Sequence, residues 1–354
     1  MPRYGSNIYK RRDGRFEGRY IKTRTDGKAR YGYIYGRSYN EVKTKLDKAK
    51  AMPFAVSLSK TTTAQYLPVW LEKIRADIKE STYTLYLRNV NKHLIPALGK
   101  IKLQALTTEH IDVMIRGKHR LAPNTIHNIF IVLKSALADA VEQKLIAVNP
   151  CVGVKLPKLS QKPVEVFTSE QQERLETSCD IGMLICLYTG LRIGEVCALK
   201  WGDMDFRNGT LNIRRTVQRI ANTGGGAKTK IVNARPKTRF SERSIPMPRF
   251  LADILLPLKN FENSFVLTVN GRQMEPRTYQ YRFAKLLERL KLPPLSFHSL
   301  RHTFSTRALE LGFDIKTLSE LLGHHSPSIT LKTYAHSIME HKRVQMNLFG
   351  INRG

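Results

Sequence analysis

The feature that most constrains the fold is a break in the hydrophobic pattern at residues 149–166. This stretch contains three prolines and several lysines, and its apolar residues follow neither helical nor strand spacing. We therefore interpret residues 149–166 as a linker. Because a chain of 354 residues also exceeds the length of one ordinary domain, we expect separate domains on either side of the linker.

The segment before the linker, residues 60–148, is predicted to be entirely helical. Its apolar residues recur three and four positions apart, and Ser and Thr residues stand where helices should begin. The expected helices are Thr63–Lys79, Ser81 to about Leu94, a short helix opened by Thr107 or Thr108, and Asn124–Lys144. This pattern predicts a compact four-helix domain, although periodicity alone does not identify its ligand.

Residues 1–55 are set apart by their charge and aromatic content. The first 50 residues contain 15 Lys and Arg against 5 Asp and Glu, interleaved with seven tyrosines and one phenylalanine. Two strands, Arg15–Lys22 and Lys28–Tyr35, are expected around a turn at 25–27. Ser38 is expected to cap a helix that reaches about residue 50.

A small basic sheet with a helix favours nucleic-acid binding. The residues expected to contact the nucleic acid are basic residues of 1–50, such as Arg11, Arg12, Arg15 and Arg19. The alternative is a solvated basic tail whose aromatic residues pack into a minimal core.

The whole chain also carries a large positive charge. It holds 59 Lys and Arg against 29 Asp and Glu, a formal net charge of +30. Such an excess indicates a polyanionic partner, with DNA, RNA and an anionic membrane surface open on this ground alone. The apolar runs are shorter than the ~20 residues of a membrane-spanning helix, and the basic N-terminus lacks the apolar stretch of a secretory signal. The four cysteines form no CxxC pair, which favours reduced thiols in a cytosolic protein and argues against a zinc site.

Residues 167–354 are predicted to form a larger domain of mixed helices and strands. Thr168, followed three residues later by Gln171, forms a capping box that would open its first helix. Residues 209–247 are rich in Thr, Ile, Val and Arg and are expected to form strands. The expected fold class is therefore multidomain and mainly α with β: a small sheet with a helix, then four helices, then a mixed α/β domain.

Four short polar segments of this last domain stand out. In the first, Arg192 opens a helix after an apolar helix that stops at Gly190, and Glu195 lies on the same face, where it can hold the guanidinium. In the second, Lys237 lies in the strand region, where a hairpin could project it. Taken alone, the first segment fits a surface ion pair better than a functional site, and the second fits an ordinary basic turn.

The other two segments contain histidines. His298 and Arg301 share one helix face, which suits a grip on a single phosphate. His298 and His302 have the i, i+4 spacing of zinc ligands, but no third ligand is evident. The last segment carries His324 and then Tyr334, and a lone tyrosine is usually a half-buried core residue. We expect neither a metal nor a cofactor.

Together these segments resemble the phage-integrase family of tyrosine recombinases. The shared order is Arg, Lys, His-x-x-Arg, His, Tyr, and the matching residues are Arg192, Lys237, His298, Arg301, His324 and Tyr334. The flanking sequences agree as well: TGLRIGE, HSLRHTF, LLGHHS and TYAH. The resemblance covers about 168–340 and extends, with less specific motifs, to 60–148, which is similar to the family's core-site-binding domain. Residues 1–55 resemble the arm-site-binding domain of conjugative-transposon and some phage integrases.

The resemblance implies a metal-independent reaction that cuts and rejoins DNA to integrate and excise a mobile element. Tyr334 would be the nucleophile that forms a 3′-phosphotyrosyl link, and Arg192 and Arg301 would neutralise the phosphate. His298 and His324 would add hydrogen bonds, with His298 the first choice for the base. The last two roles fall to Lys237, which would protonate the departing 5′ oxygen, and to Glu195, which would support an arginine.

The resemblance also implies partners and a location. The implied partners are double-stranded DNA with core and arm attachment sites and further copies of the chain, which would form a homotetramer on that DNA. The resemblance also allows a directionality factor as a partner. The chain is expected to be a bacterial cytoplasmic protein, associated with the nucleoid and not with a membrane. The tail at 337–354 would dock either on a neighbouring protomer or on its own domain.

Three rival classes stay open. A type IB topoisomerase shares much of this chemistry, and a host chromosome-dimer resolvase shares the family. The separate basic module at 1–55 argues against both, because relaxation of supercoils needs no second DNA site and the resolvases are shorter and lack an N-terminal arm domain. A non-catalytic DNA-binding regulator is the third rival, and the complete set of residues including Tyr334 argues against it.

Overall fold

The computed structural model describes residues 7–25, 28–51, 61–159, 164–178, 180–234, 242–324, 326–328, 330–331 and 346. The chain divides into two compact units, Met1–Ser160 and Gln161–Gly354. Among the described residues, no helix combines the length and the apolar character needed to cross a membrane.

The first unit begins with a three-stranded antiparallel sheet in the order β1-β2-β3. Its elements are β1 (Ile8–Lys10), β2 (Phe16–Thr25), β3 (Lys28–Gly36) and a following helix, α1 (Tyr39–Ala51). The two predicted strands and the predicted helix are confirmed, and the Glu41 amide donates to Ser38 Oγ at 3.3 Å, as expected of an N-cap. β1 was not predicted, because three residues are too few for an alternating pattern to be visible. Gly18 allows α1 to approach the sheet closely, since a Cβ there would lie 2.7 Å from Val42 Cγ1.

The rest of the described first unit is helical. Its elements are α2 (Thr63–Lys73), α3 (Glu80–Asn89), a π-helical turn (Val90–Leu94), α4 (Ile95–Leu98), a 3₁₀ turn (Leu103–Ala105), α5 (Thr108–Arg116) and α6 (Pro123–Glu142). Their apolar faces meet in one core, in which Trp70, Ile111 and Leu133 are buried. The predicted helical character of this part is confirmed, including Thr107 as the N-cap of α5.

Three predicted details in this part are wrong. α2 ends at Lys73 and not at Lys79, because Ile74 and Ile78 reach the core from turns and so prolong the apolar periodicity beyond the helix. α3 begins before Ser81, and its N-cap residue, Lys79, makes no side-chain cap. The helical path does not end near Leu94 but continues through α4 to Leu98, because Pro96 occupies one of the first positions of α4, where proline is tolerated.

The first part of the stretch interpreted as a linker packs on this helical core. Cys151 is buried, and Val154 and Leu156 pack against the same cluster. The Thr108 hydroxyl donates to the Pro150 carbonyl at 3.0 Å. These contacts hold residues 150–156 to the helices.

The second unit is built around α8 (Ile181–Thr189), which is apolar on every side. Met183, Ile185 and Cys186 in this helix are fully buried. A helix of this kind must be covered all round, and α10 (Arg249–Leu255) and α12 (His298–Glu310) pack against it. The other helices are α7 (Ser169–Glu176), α9 (Ile193–Val196), α11 (Pro276–Arg289) and α13 (Ile315–Leu322). The capping box of Thr168 and Gln171 opens α7 as predicted.

Short antiparallel sheets complete the second unit. One has the order β4-β5-β8, with β4 (Met204–Asp205), β5 (Thr210–Ile213) and β8 (Arg243–Pro246). The others are the hairpin of β6 (Thr216–Ala221) with β7 (Thr229–Ala234), and the pair β9 (Thr268–Val269) with β10 (Arg272–Gln273). The strands expected over 209–247 are therefore confirmed.

Candidate active site

Arg192 lies at a sharp junction between two helices. α8 ends at Gly190, whose φ of +65° lies in the left-handed region, and a Cβ there would lie 2.6 Å from Phe304. Glycine is required at this turn for both reasons. The turn brings Arg192 to the N-cap of α9, where its side chain stays 37% exposed. Its guanidinium can therefore reach a ligand.

Glu195 holds Arg192 from within the protein. One carboxylate oxygen accepts from Arg192 Nη1 at 2.9 Å, and the other accepts from the Arg192 backbone amide at 3.0 Å. The second oxygen also accepts from Arg243 Nη2 at 3.1 Å. Burial by itself would raise the pKa of Glu195, but the ion pairs with Arg243 and Arg192 outweigh it and hold the pKa below its ordinary value. Glu195 is thus an ionised, buried counter-charge for two arginines.

Arg301 is buried and connects the ends of two helices. Its Nη1 donates to the Gly190 carbonyl at 2.7 Å and its Nη2 donates to the Leu322 carbonyl at 2.8 Å. These carbonyls close α8 and α13, where the helix dipoles favour a positive charge. Arg301 is accordingly placed beside the junction that carries Arg192.

His324 follows α13 directly and bonds through both ring nitrogens. Nε2 lies 2.8 Å from Arg301 Nη2, and Nδ1 lies 2.8 Å from Thr330 Oγ1. A guanidinium can only donate, so Nε2 accepts, and the proton of the neutral ring sits on Nδ1. Burial, and then the positive charge of Arg301, lower the pKa of His324 to about 4. The ring is therefore neutral at pH 7.

His298 opens α12 and is exposed. Its ring packs edge-on against His302 with 4.6 Å between centroids. Partial burial of the ring lowers its pKa to about 4, with smaller contributions from His302 and Arg301. The imidazole is therefore neutral at pH 7, which is the form that a general base needs before it accepts a proton.

Arg192 and His298 line the same open groove. Its volume is about 760 Å³, and its other walls come from β6 and α11, with Thr216, Arg277 and Gln280 among the lining residues. Arg192 and Arg277 bring positive charge to this groove, which suits an anionic ligand.

Two predicted residues, Lys237 and Tyr334, lie outside the described part of the chain.

The sequence interpretation assigned no role to Arg243 or Thr330. Arg243 stands between Glu242 and Ser244 at the start of a strand, and its partner Glu195 lies 48 residues away. Only the structure shows that Glu195 is buried and lies within hydrogen-bonding distance of two arginines. The contact of Thr330 with His324 depends on the turn after α13.

The basic residues predicted in the N-terminal module lie on the sheet and its loops. Alternate residues of β3, namely Tyr31, Tyr33 and Tyr35, are exposed. Arg19 stacks on Tyr31 at 3.5 Å, and Arg11 lies 5.4 Å from the ring of Tyr35. Arg12 and Arg15 are exposed in the loop before β2. The face turned away from α1 is therefore aromatic and cationic.

Comparison with known proteins identifies a family over both units. Residues 159–341 match the model of the phage integrase family, and residues 62–117 match the phage integrase N-terminal SAM-like domain. The tyrosine recombinase XerC-like protein of Caldanaerobacter subterraneus subsp. tengcongensis is 27% identical over 324 residues, covering 81% of this chain and 82% of the relative. The transposase from transposon Tn916 of Enterococcus faecalis is 28% identical over 291 residues, covering 72% and 70% of the two chains.

A solved structure agrees with these relatives. The Tn1549 transposon integrase in complex with transposon right end DNA matches with a TM-score of 0.68 and 26% identity, covering 80% of this chain and 99% of that one. The family match spans more than half of the chain and includes the elements that carry Arg192, Arg301 and His324. The chain belongs to the phage integrase family, the tyrosine recombinases that break and rejoin DNA.

Proposed function

We propose that this chain acts as the integrase of a mobile element, cutting and rejoining double-stranded DNA at specific sites through Tyr334. The observation that carries the proposal is the meeting of Arg192, Arg301 and His324, from three separate sequence segments, at the ends of α8 and α13. His298 faces the groove beside Arg192. A phosphodiester bound in that groove would meet Arg192 and His298 directly, with Arg301 and His324 held at the adjoining helix ends.

The two arginines would supply the electrostatic part of catalysis. Attack on an anionic phosphodiester requires charge neutralisation on its non-bridging oxygens, and guanidiniums are permanently charged, fork-shaped donors. Because they are held by Glu195 and by helix-end carbonyls before DNA binds, little reorganisation is needed as charge develops.

The proton transfers fall to His298, Lys237 and Tyr334. The Tyr334 oxygen would attack phosphorus while its proton passes to neutral His298. The bond from phosphorus to the 5′ oxygen would break, and Lys237 would give that oxygen its proton. The 5′-hydroxyl of a partner strand then attacks the phosphotyrosine and restores the tyrosine. The bond energy is conserved throughout, so the cycle consumes no high-energy cofactor.

His324 would change its hydrogen bonding when DNA binds. In the free protein Nε2 accepts from Arg301. A phosphate oxygen placed between them would take the Arg301 donor, and its negative charge would raise the pKa of His324. The protonated ring could then donate to the phosphate from Nε2.

The remaining parts of the chain would bind DNA in separate places. The aromatic and cationic face of the N-terminal sheet suits an arm site, and the helical domain at 60–148 suits a core site next to the catalytic domain. The active assembly would be a homotetramer on DNA, with a directionality factor as a further partner. We place the protein in the bacterial cytoplasm, in association with the nucleoid.

An apolar groove of about 770 Å³ in the second unit offers a place for the C-terminal tail. Its lining includes Tyr188, Phe250 and Phe304. The tail at 337–354 carries several apolar residues, and it would fill this groove in its own protomer or in a neighbour.

Strand exchange between two duplexes tests the function. A labelled and an unlabelled duplex carrying attachment sites would be incubated with the protein without Mg²⁺, with scrambled core sites as the matched control. We expect recombinant strands from the specific sites only. Relaxation of supercoiled DNA without exchange would identify a topoisomerase. Tight binding with neither reaction would identify a regulator.

A further inference from the structure

Three arginines converge on three consecutive carbonyls at the end of α13. Arg243 Nε donates to the Leu321 carbonyl at 2.6 Å, and Arg301 Nη2 donates to the Leu322 carbonyl at 2.8 Å. Arg192 Nη2 lies 3.5 Å from the Gly323 carbonyl. The arginines come from β8, α12 and the N-cap of α9, so this helix end joins three separate elements.

The helix end is suited to this role. The last carbonyls of a helix have no partner inside the helix, and Gly323 adopts a left-handed conformation with φ of +65°. The amides of Gly323 and His324 take the carbonyls of Glu320 and Ser319. The next three carbonyls are thereby presented to the guanidiniums, which also interact favourably with the helix dipole.

Arg243 differs from Arg192 in exposure. The side chain of Arg243 is 7% exposed, against 37% for Arg192. Arg243 also pairs with Glu195, with 3.1 Å between Nη2 and Oε2 and 3.3 Å between Nη1 and Oε1. It therefore connects the carboxylate that holds Arg192 with the helix end that precedes His324.

We propose that Arg243 is a positioning residue for DNA cleavage, acting through Glu195 and the end of α13 on Arg192 and His324. The proposal rests on the proposed function. Arg243 also begins β8, six residues after Lys237 in the sequence, so the same contacts fix the point where that segment rejoins the fold.

The first test compares Arg243→Lys with Arg307→Lys. Lysine keeps the charge but cannot bridge a carboxylate and a carbonyl with a planar fork. Arg307 is a matched control, because it also donates to a carboxylate, that of Glu310, and to a carbonyl, that of Phe167. The measurements are the single-turnover rate of covalent adduct formation on a half-site DNA at saturating protein, the Kd for that DNA, and the Tm of each variant.

We expect Arg243→Lys to slow adduct formation by about tenfold or more while the Kd changes by less than about threefold. Arg307→Lys should change the rate by less than about twofold, and because its ion pair with Glu310 is more exposed than that of Arg243 with Glu195, it should also lower Tm less. Equal slowing in the two variants would mean a general structural effect and would overturn the proposal. A wild-type protein that forms no adduct on specific DNA would instead overturn the proposed function, and the role of Arg243 with it.

A double-mutant cycle tests whether Arg243 acts through Glu195. The rates of Glu195→Gln, Arg243→Met and the double variant would be measured on the same DNA. Residues that act as one unit show strong non-additivity, so the double variant should be no slower than about twofold below the slower single variant. Multiplicative losses would show that the two residues act independently and would overturn the proposed route.

Discussion

Replacing Glu195 with Gln removes one negative charge from between two arginines and leaves the shape of the side chain almost unchanged. The Glu195 side chain is 4% exposed, and its oxygens lie 2.9 Å from Arg192 Nη1 and 3.1 Å from Arg243 Nη2. The amide can accept from one guanidinium, but its NH₂ group would face the other. Arg243, which is also buried, would lose its counter-charge.

The expected cost follows from this burial. Breaking a buried ion pair by removing one partner costs about 3–5 kcal/mol, and the hydrogen bonds that Gln retains reduce this to about 2–3 kcal/mol. For a domain of the size of the second unit, this lowers Tm by about 5–10 °C. Because Arg192 loses its main anchor, adduct formation on DNA should slow by about tenfold to a hundredfold.

The loss of stability caused by Glu195→Gln should depend on pH in a definite direction. The arginines hold the pKa of Glu195 below its ordinary value, so its contribution to stability is present above an unfolded-state pKa of about 4.3 and is lost as pH falls through the folded-state value. The difference in Tm between wild type and Glu195→Gln should therefore be largest near pH 7 and should narrow as the protein is acidified.

Calorimetry and single-turnover cleavage would measure both effects. Glu310→Gln is the control, because Glu310 pairs with Arg307 in the same unit but its side chain is 50% exposed, and we expect a loss below about 1 kcal/mol. If Glu195→Gln melted within 1–2 °C of Glu310→Gln, or cleaved at the wild-type rate, the anchoring role of Glu195 would be refuted.

Three further predictions concern other parts of the chain. Gly190→Ala should destabilise the second unit by about 3 kcal/mol in urea unfolding, because the new Cβ would lie 2.6 Å from Phe304 at a residue whose φ is +65°. The control Gly312→Ala, at a residue with φ of +89° and open space around it, should cost only about 1–2 kcal/mol. Equal losses of stability in the two variants would contradict the steric argument. Deleting residues 1–55 should spare cleavage of a core site and abolish binding to a second site in gel shifts, and loss of core cleavage would show that the domain division is wrong. The lowered pKa values of His298 and His324 mean that the unfolded chain binds more protons between about pH 6.5 and 4. Urea unfolding should thus show about 1–2 kcal/mol less stability at pH 5 than at pH 7, after allowance for solvent screening. A double Gln variant should reduce that difference, and the remainder falls to His302 and His93, whose pKa values burial also lowers.

Local features of the fold were predictable wherever one segment determined them. The helix start at Thr107, the capping box of Thr168 and the stop at Gly190 depend on a few neighbouring residues, and the structure confirms each. Predicted helix boundaries were wrong where residues beyond the helix also pack into the core and so continue the apolar spacing, as Ile74 and Ile78 do.

The site was predictable in its residue types but not in its contacts. The order of Arg, His and Arg residues identified the family, which the comparisons confirm. The partners of those residues depend on how distant segments meet. Arg301 donates to carbonyls 111 and 21 residues away. Because every residue has a backbone carbonyl, the sequence does not indicate which carbonyls an arginine will contact. The neutral state of His324 likewise follows from its burial beside Arg301. The spacing of residues in the sequence does not predict that burial.

The most direct test of the account is covalent trapping on a suicide substrate. A nicked or half-site DNA would be incubated without Mg²⁺ with wild type, Tyr334→Phe and Tyr281→Phe, and the products separated on denaturing gels. Tyr281 is the control, because it is 65% exposed in the same unit and has no assigned role. We predict a protein–DNA adduct for wild type and Tyr281→Phe, none for Tyr334→Phe, and a DNA-linked peptide that contains Tyr334. An adduct that persists in Tyr334→Phe, or the lack of any adduct despite specific DNA binding, would contradict the central claim.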